Sequence, residues 1–386
     1  MQTGGRFSCL ADRRTVPLSA TVFRGEKMNS IGTGIDKIET PALLVDMDIL
    51  EENISIIESY FKDKKAKLRP HFKTHKCSEI AKMQIKAGAK GITCAKLSEA
   101  EVLAAAGIDD ILIANQVVES SKIKRLAELA CSKRIAVCVD NPENIIDLSH
   151  AVKESGATIY VFIEVNIGMN RCGINTKEEA LPLASLIQSS PGLVFEGLQG
   201  YAGQISHEAD FDARVRGVKE AVEKVTGIKN HLEENGIKVN EISGASTGTY
   251  NITGDNTIWT EIQAGSYVFM DTDYEKLSLS FKNALSVLAT VIHKRPGTAI
   301  TDAGQKVCCV TKGLPVIKNL PGITALKLNE EHGIINDTED SLFYLQKIEY
   351  IPSHCCSAVN LHDELYGVRN GVIEKIFQID GRGKYR

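Results

Sequence analysis

Two imidazoles, two lysines and an arginine fall within the stretch Arg69-Pro70-His71-Phe72-Lys73-Thr74-His75-Lys76. Set at the end of a strand, such a cluster aims several cations at one point, which suits an anionic ligand carrying a carbonyl. Lys73 is the candidate attachment point, because a lysine amine freed of its proton adds to a carbonyl carbon. The neighbouring cations Arg69, His75 and Lys76 would favour the neutral amine, and His75 is counted with Lys73 as catalytic. The bland alternative is a solvated basic loop.

A second stretch, Ser243-Gly-Ala-Ser-Thr-Gly-Thr-Tyr250, is dense in glycine and hydroxyls. Small residues let backbone N–H groups approach an anion and hydroxyls add donors, so the run suits a monoester phosphate. It lacks the GKS/T of a nucleotide-binding loop. A phosphate-bearing aldehyde held by a lysine describes pyridoxal 5'-phosphate. Ser246, Thr247, Gly248 and Thr249 lie within this run, and Gly265, Ser266 and Tyr267 form a further group after the next strand. Arg171, in Glu164-Val-Asn-Ile-Gly-Met-Asn-Arg-Cys-Gly173, is placed near the cofactor ring, where a fixed charge tunes its electronics.

A third pattern is Pro352-Ser-His354-Cys355-Cys356. On a strand, His354 and Cys356 project from one face and can grip one divalent ion while leaving positions for water and substrate. Thiolate plus imidazole favours zinc over manganese or magnesium. His332 reads as a third ligand or a turn residue, and His362 and Asp363 as more distant support.

These residues need elements to hold them. From Pro41 to Tyr274 short apolar runs alternate with longer helical patterns, beginning with Pro41–Met47 as a strand and Asp48–Phe61 as a helix. Such alternation implies parallel strands joined by right-handed crossovers, and about eight units close a (β/α)8 barrel. In a barrel, functional residues sit at the C-terminal ends of strands, where all the barrel candidates above fall. From Leu277 onward the pattern turns to strands, including Ala284–His293, Lys306–Thr311 and Gly371–Ile379. The expected organisation is an extension over residues 1–35, a cofactor-binding barrel over 36–275 and a smaller β domain over 276–386 that carries the metal site.

The 386 residues carry a net charge of -4, without the basic excess of a nucleic-acid binder. No apolar run reaches the roughly 20 residues of a membrane span, so a soluble protein is expected. The ten cysteines form no CxxC pair, which fits a reduced, cytoplasmic setting. Residues 1–27 read either as a basic leader or as an over-extended start before Met28.

The motifs TPALLVD, RPHFKTHK, EVNIGMNRCG, GLQGYAG, SGASTGTY, TEIQAGSYVFMD and PSHCCSAVNLHDELYGVRNG occur in one order along the chain. In these the chain resembles the D-threonine aldolase and D-serine dehydratase family, whose barrel is of the alanine-racemase type. The resemblance implies a pyridoxal-phosphate enzyme, usually a homodimer, with a divalent ion beside the cofactor and a small D-amino acid as substrate. It implies Lys73 as the Schiff-base lysine, Arg171 as a ring contact, Tyr201 as an active-site residue, Thr247, Gly248, Thr249, Ser266 and Tyr267 as phosphate contacts and His354 and Cys356 as metal ligands. Asn166 stands where the family usually has aspartate, and Ala245 where it has glycine. Family aldolases tend to carry glycine before the lysine and a carboxylate as second metal ligand. With Phe72 and Cys356 in those places, the first expectation is a dehydratase of D-serine or D-3-hydroxyaspartate, giving a 2-oxo acid and ammonia. The alternative is an aldolase giving glycine and an aldehyde; a cofactor-homeostasis protein or a racemase ranks below both.

Overall fold

The computed structural model describes residues 30–256 and 258–386. Eight short strands, β2 (Lys67–Leu68), β3 (Ile92–Cys94), β4 (Asp110–Ile113), β5 (Arg134–Val139), β6 (Ile159–Val165), β7 (Leu193–Gly200), β8 (Glu241–Gly244) and β9 (Glu261–Ile262), pair in parallel in the order β2-β9-β8-β7-β6-β5-β4-β3. A parallel bridge between His71 and Thr93 joins the two ends and closes the (β/α)8 barrel. The strands are apolar and buried because helices cover their outer face.

The remaining strands make one antiparallel-rich sheet. Its path runs β13 (Thr324–Leu328), β14 (Gly333–Asn336), β11 (Thr298–Thr301), β10 (Leu285–Arg295), β1 (Ala42–Asp46), β16 (Glu364–Arg369), β17 (Val372–Gln378). Off this path, β15 (Lys347–Ile351) pairs with β10 and with β12 (Val316–Ile317). The first strand thus departs from expectation: β1 lies between β10 and β16 in this sheet, and not in the barrel. Its apolar run is buried on both faces in either location, so periodicity alone assigns it to neither sheet. Residues 306–311 are also not a strand. Val307 and Cys308 both donate their N–H groups to the Gly304 carbonyl, which turns the chain there. Residues 1–29 of the expected extension lie outside the described residues, whereas Gly32 and Ile35 hydrogen-bond to Ile373 and Gly371. Among the described residues, no helix is long and apolar enough to cross a membrane.

Charged residues close the barrel at the N-terminal end of its strands. Arg69, 2% exposed, pairs with Asp110 and with Glu261, each at 2.8 Å, and Glu261 is itself 1% exposed. Lys90 also reaches Glu261 at 2.8 Å, and Arg134 links Asp110 to Glu196. Arg69 is therefore a floor residue, held away from Lys73 by two carboxylates at the closed end. Burial alone would raise the Glu261 carboxyl, but Arg69 and Lys90 overcome it and bring it down to about 2 from its ordinary 4.5. A depressed carboxyl contributes stability that is complete above its unfolded pKa and is lost as pH falls from about 4.5 toward 2. Denaturant midpoints measured across that window should fall with pH in the wild type and flatten in Glu261→Gln. Arg69→Met leaves Glu261 with Lys90 and Asp110 with Arg134 as their remaining cations and should cost about 3 kcal/mol at neutral pH; an unchanged midpoint would refute this account of the floor.

Candidate active site

At the other end of the barrel the loops after the strands enclose a cavity of about 230 Å³. Its lining includes His71, Lys73 and Thr74 after β2, Arg171 and Cys172 after β6, Gln199 in β7 and Tyr201 just after it, Ala245 to Thr247 after β8, and Gln263, Gly265 and Ser266 after β9. Beyond β2, the N–H groups of Arg69 and His71 still donate to the Ile262 and Ala264 carbonyls. The chain then turns through a short 3-10 helix, Phe72–Thr74, which Phe72 anchors in the core and which leaves Lys73 open to the cavity. The His71 Nδ1 accepts the Lys73 N–H at 3.4 Å. Burial and the neighbouring cations, Lys73 first among them, hold that imidazole well below its ordinary value, so it is neutral.

Tyr201 lies between the two cations expected at the cofactor. Its ring centroid is 5.5 Å from Lys73 Nζ and 5.6 Å from the Arg171 guanidinium. Arg171 rides on a loop that Asn166 organises: its Oδ1 accepts from the N–H of Gly168 and Asn170, and its Nδ2 donates to Asn170 and Asn175. An ionised aspartate could accept those bonds but could not donate, so the asparagine fits this loop. Glu164 faces Arg171 at 3.8 Å; burial raises its carboxyl, while Gln116 and Arg171 oppose the rise.

The phosphate run behaves as two facing turns. Thr247–Thr249 and Ser266–Val268 are 3-10 helices that both start at the cavity, so their first N–H groups lack acceptors within the turn. A Cβ on Gly248 would sit 1.9 Å from the Ser206 carbonyl oxygen, and one on Gly265 would sit 2.5 Å from Thr74 Oγ1; the close approach of these chains requires glycine at both positions. Ala245 adopts the left-handed region at φ 64°, where a glycine would be unstrained. Ser246, Thr247, Gly265 and Ser266 face the space. Thr249 and Tyr267 support them from behind. The Thr249 hydroxyl meets Ser246 Oγ at 3.2 Å, the Tyr267 phenol accepts from Gln84, and the Tyr267 N–H donates to Thr247 Oγ1. The Tyr267 ring is fully buried and turned from the cavity, contrary to expectation.

His75 also departs from expectation. It is fully buried, its Nδ1 accepts the Cys77 N–H, and its Nε2 is bonded to Gln84. Both nitrogens are thus committed to the fold, and the ring is outside the cavity lining.

His354 and Cys356 meet, but not on a strand. Pro352 follows β15, and His354 stands at the N-cap position, without a side-chain cap bond, of a short helix, Cys355–Val359, that carries Cys356 in its first turn. Asp271 holds this helix over the cavity by accepting the Cys355 N–H at 2.9 Å. Cys356 Sγ lies 3.4 Å from Thr74 Oγ1 and 3.8 Å from Ser266 Oγ, both cavity residues. Hydrogen bonds from Cys355 and His354 hold the Cys356 thiol well below its ordinary value against burial, and the same contact raises His354. A thiol beside an imidazole is a donor set that a soft divalent ion takes over by replacing a proton. Among the described residues, no cluster of three or more His, Cys, Asp or Glu is placed to hold an ion. His332 lies exposed in the turn before β14, and His362 is bonded to the Val307 carbonyl.

Two further residues were not anticipated. His207 and Asp273 lie beside Tyr274, a cavity residue, with His207 Nδ1 2.8 Å from Asp273 Oδ2 but without hydrogen-bond alignment, so both buried atoms are unsatisfied. Burial lowers His207 despite the neighbouring Asp273, leaving a neutral ring. The available signal was the polar Ser206-His207-Glu208 stretch just beyond the end of β7.

A lysine, two facing amide turns and a cation beside an aromatic ring in one cavity fit pyridoxal phosphate, and the fold and site define a pyridoxal-phosphate-dependent lyase on an alanine-racemase-type barrel. The family "Alanine racemase, N-terminal domain" matches residues 45–273 and "Putative serine dehydratase domain" matches residues 284–368. The chain belongs to the D-threonine aldolase and D-serine dehydratase family. It is 38% identical to the D-threonine aldolase of an Arthrobacter species, over 91% of this chain and 95% of that one. It is 36% identical to the 3-hydroxy-D-aspartate aldolase of Paracoccus denitrificans, over 92% and 94%. The crystal structure of D-threonine aldolase from Filomicrobium marinum superposes with a TM-score of 0.89 at 37% identity, covering 92% of this chain and 99% of that one. Relatives named as dehydratases are more distant, at 28% for the D-threo-3-hydroxyaspartate enzyme of a Delftia species and 26% for the D-serine enzyme of Dictyostelium discoideum. The dehydratase expectation is therefore less well supported than its aldolase alternative.

Proposed function

We propose that this protein is a pyridoxal-phosphate- and divalent-metal-dependent aldolase that splits D-3-hydroxy amino acids into glycine and an aldehyde. The observation that carries the reading is the meeting of Lys73, Arg171 and the Ser246–Thr247 and Gly265–Ser266 turns in one cavity, with the His354–Cys356 pair against its wall. The greater identity to aldolases supports the choice of bond. The HxC pair is no argument for dehydration, because a Lewis acid at the β-oxygen helps an alkoxide form as well as a hydroxide leave.

Bound here, pyridoxal phosphate supplies an electron sink for Cα and the ion, zinc by its thiolate ligand, a Lewis acid for the β-hydroxyl. Lys73 is the attachment amine and afterwards the group that delivers a proton to Cα of the departing glycine. Thr247 and Ser266 hold the phosphate through hydroxyl and amide. Arg171 sets the charge at the ring, and Tyr201 fixes the distance between it and Lys73. The proton lost from the β-hydroxyl as Cα–Cβ opens balances the one gained at carbon, and the neutral His207, packed behind the cavity residue Tyr274, is the proposed base for it. All described cysteines are free, which supports a reducing compartment, and a second copy of the chain is the expected partner.

Cofactor- and zinc-loaded protein offered the D- and L-enantiomers of threonine and of 3-hydroxyaspartate should release aldehyde from the D-series only, by at least about a hundredfold. Equal turnover of the L-series would contradict the reading.

A further inference from the structure

The Lys73 turn is held from outside the barrel. Lys76, which follows it, takes a left-handed backbone conformation at φ 48°, which a lysine keeps only under constraint. The helix Ser78–Lys86 then begins, yet its N-cap residue, Cys77, gives no side-chain cap. The cap comes from a residue 302 positions away: Asp380 Oδ1 accepts the Ser78 N–H at 3.0 Å and Asp380 Oδ2 accepts the Ser78 hydroxyl. A carboxylate at that end also complements the helix dipole. The next residue grips Lys76 twice. Gly381 N–H donates to the Lys76 carbonyl at 2.8 Å, and Lys76 Nζ donates to the Gly381 carbonyl at 3.3 Å. A Cβ on Gly381 would stand 2.5 Å from Phe72 Cε1, so this segment lies directly on the residue before Lys73.

The segment also reaches the neighbouring loop. Lys76 Nζ pairs with Glu99 at 2.8 Å, and Glu99 accepts the N–H groups of Ala95, a cavity residue, and Lys96. Ser98 N–H donates to the Arg386 carbonyl at 3.1 Å. At its other end the segment is anchored by the Ile379 N–H, which donates to the Asp363 carbonyl at 2.8 Å.

We propose that residues 379–386 form a strap that positions the Lys73 turn, and the Ala95 loop beside it, for cofactor attachment, with Asp380 and Gly381 as the positioning residues. The inference rests on the reading of Lys73 as the attachment lysine. Freed of the strap, Lys76 relaxes toward a right-handed or extended backbone and swings Lys73 away from the phosphate turns, while the barrel stays folded.

The test compares full-length Asp380→Ala and Asp380→Asn with wild type by amide hydrogen exchange over residues 72–78 and by the rate at which the lysine-bound cofactor absorbance is lost after dilution. Asp380→Ala should speed both by about tenfold with the thermal midpoint little changed, and Asp380→Asn, which keeps an acceptor for Ser78 N–H, should restore most of each. Should Asp380→Ala fail to fold, Gly381→Ala, which presses on Phe72, carries the same expectation. Exchange over 72–78 and cofactor loss at wild-type rates would overturn the strap. If wild type holds no cofactor on Lys73, the functional reading falls alone, since the exchange measurement does not depend on the cofactor.

Discussion

Lys73→Ala is expected to abolish the absorbance of lysine-bound pyridoxal phosphate and to lower aldehyde release by a factor on the order of 10⁴ or more. The expectation follows from the cavity's construction. Lys73 is the amine that the Phe72–Thr74 turn presents to the space, which is also lined by the first residues of the other two turns. Other lysines and arginines of the same stretch are occupied elsewhere: Arg69 at the barrel floor, and Lys76 with Glu99 and Gly381. No substitute amine is therefore at hand. The melting midpoint of the cofactor-free protein should change little, since Lys73 is open to the cavity and not part of the core. Survival of the absorbance band in the variant would remove Lys73 from its role.

Cys356→Ala should have the opposite spectral outcome. The cofactor band should remain, because Cys356 touches Thr74 and Ser266 but is not part of either amide turn. Metal-dependent turnover should fall on the order of 10³-fold, the value of a Lewis acid at the reacting oxygen. The thiol is already held toward thiolate by Cys355 and His354, so an ion gains a ready ligand, and its loss leaves His354 alone. A chelator should reduce wild-type activity to the level of the variant and leave the variant unchanged. Equal activity in the two proteins, each loaded with zinc, would refute the metal site.

Much of this architecture was legible in the sequence, for a physical reason. Strand-helix alternation has a strong period, and parallel strands with helical crossovers place their C-terminal ends together, so Lys73, Arg171, Tyr201 and Thr247 could be gathered without coordinates. The limits are equally physical. An apolar strand buried on both faces carries no mark of its sheet, which is why β1 was counted with the barrel. Residue type within a strand-end cluster does not reveal direction: His71 faces the cavity, while His75 and Arg69 serve the core and the floor. Tyr267 contributes through its backbone, which a side-chain reading overlooks. The strap depends on contacts across some three hundred residues, beyond any local pattern. The bond that breaks was not legible, because a Lewis acid held by His354 and Cys356 would meet the same β-oxygen in either reaction; the greater identity to aldolases favours the alternative reading.

The most direct measurement is a product balance from D-threonine with the zinc- and cofactor-loaded protein, scoring glycine, aldehyde, 2-oxo acid and ammonia in one reaction. An aldolase gives glycine and aldehyde in equal amounts with no ammonia. Ammonia and 2-oxo acid in equal amounts, with no glycine, would contradict the account and restore the dehydratase.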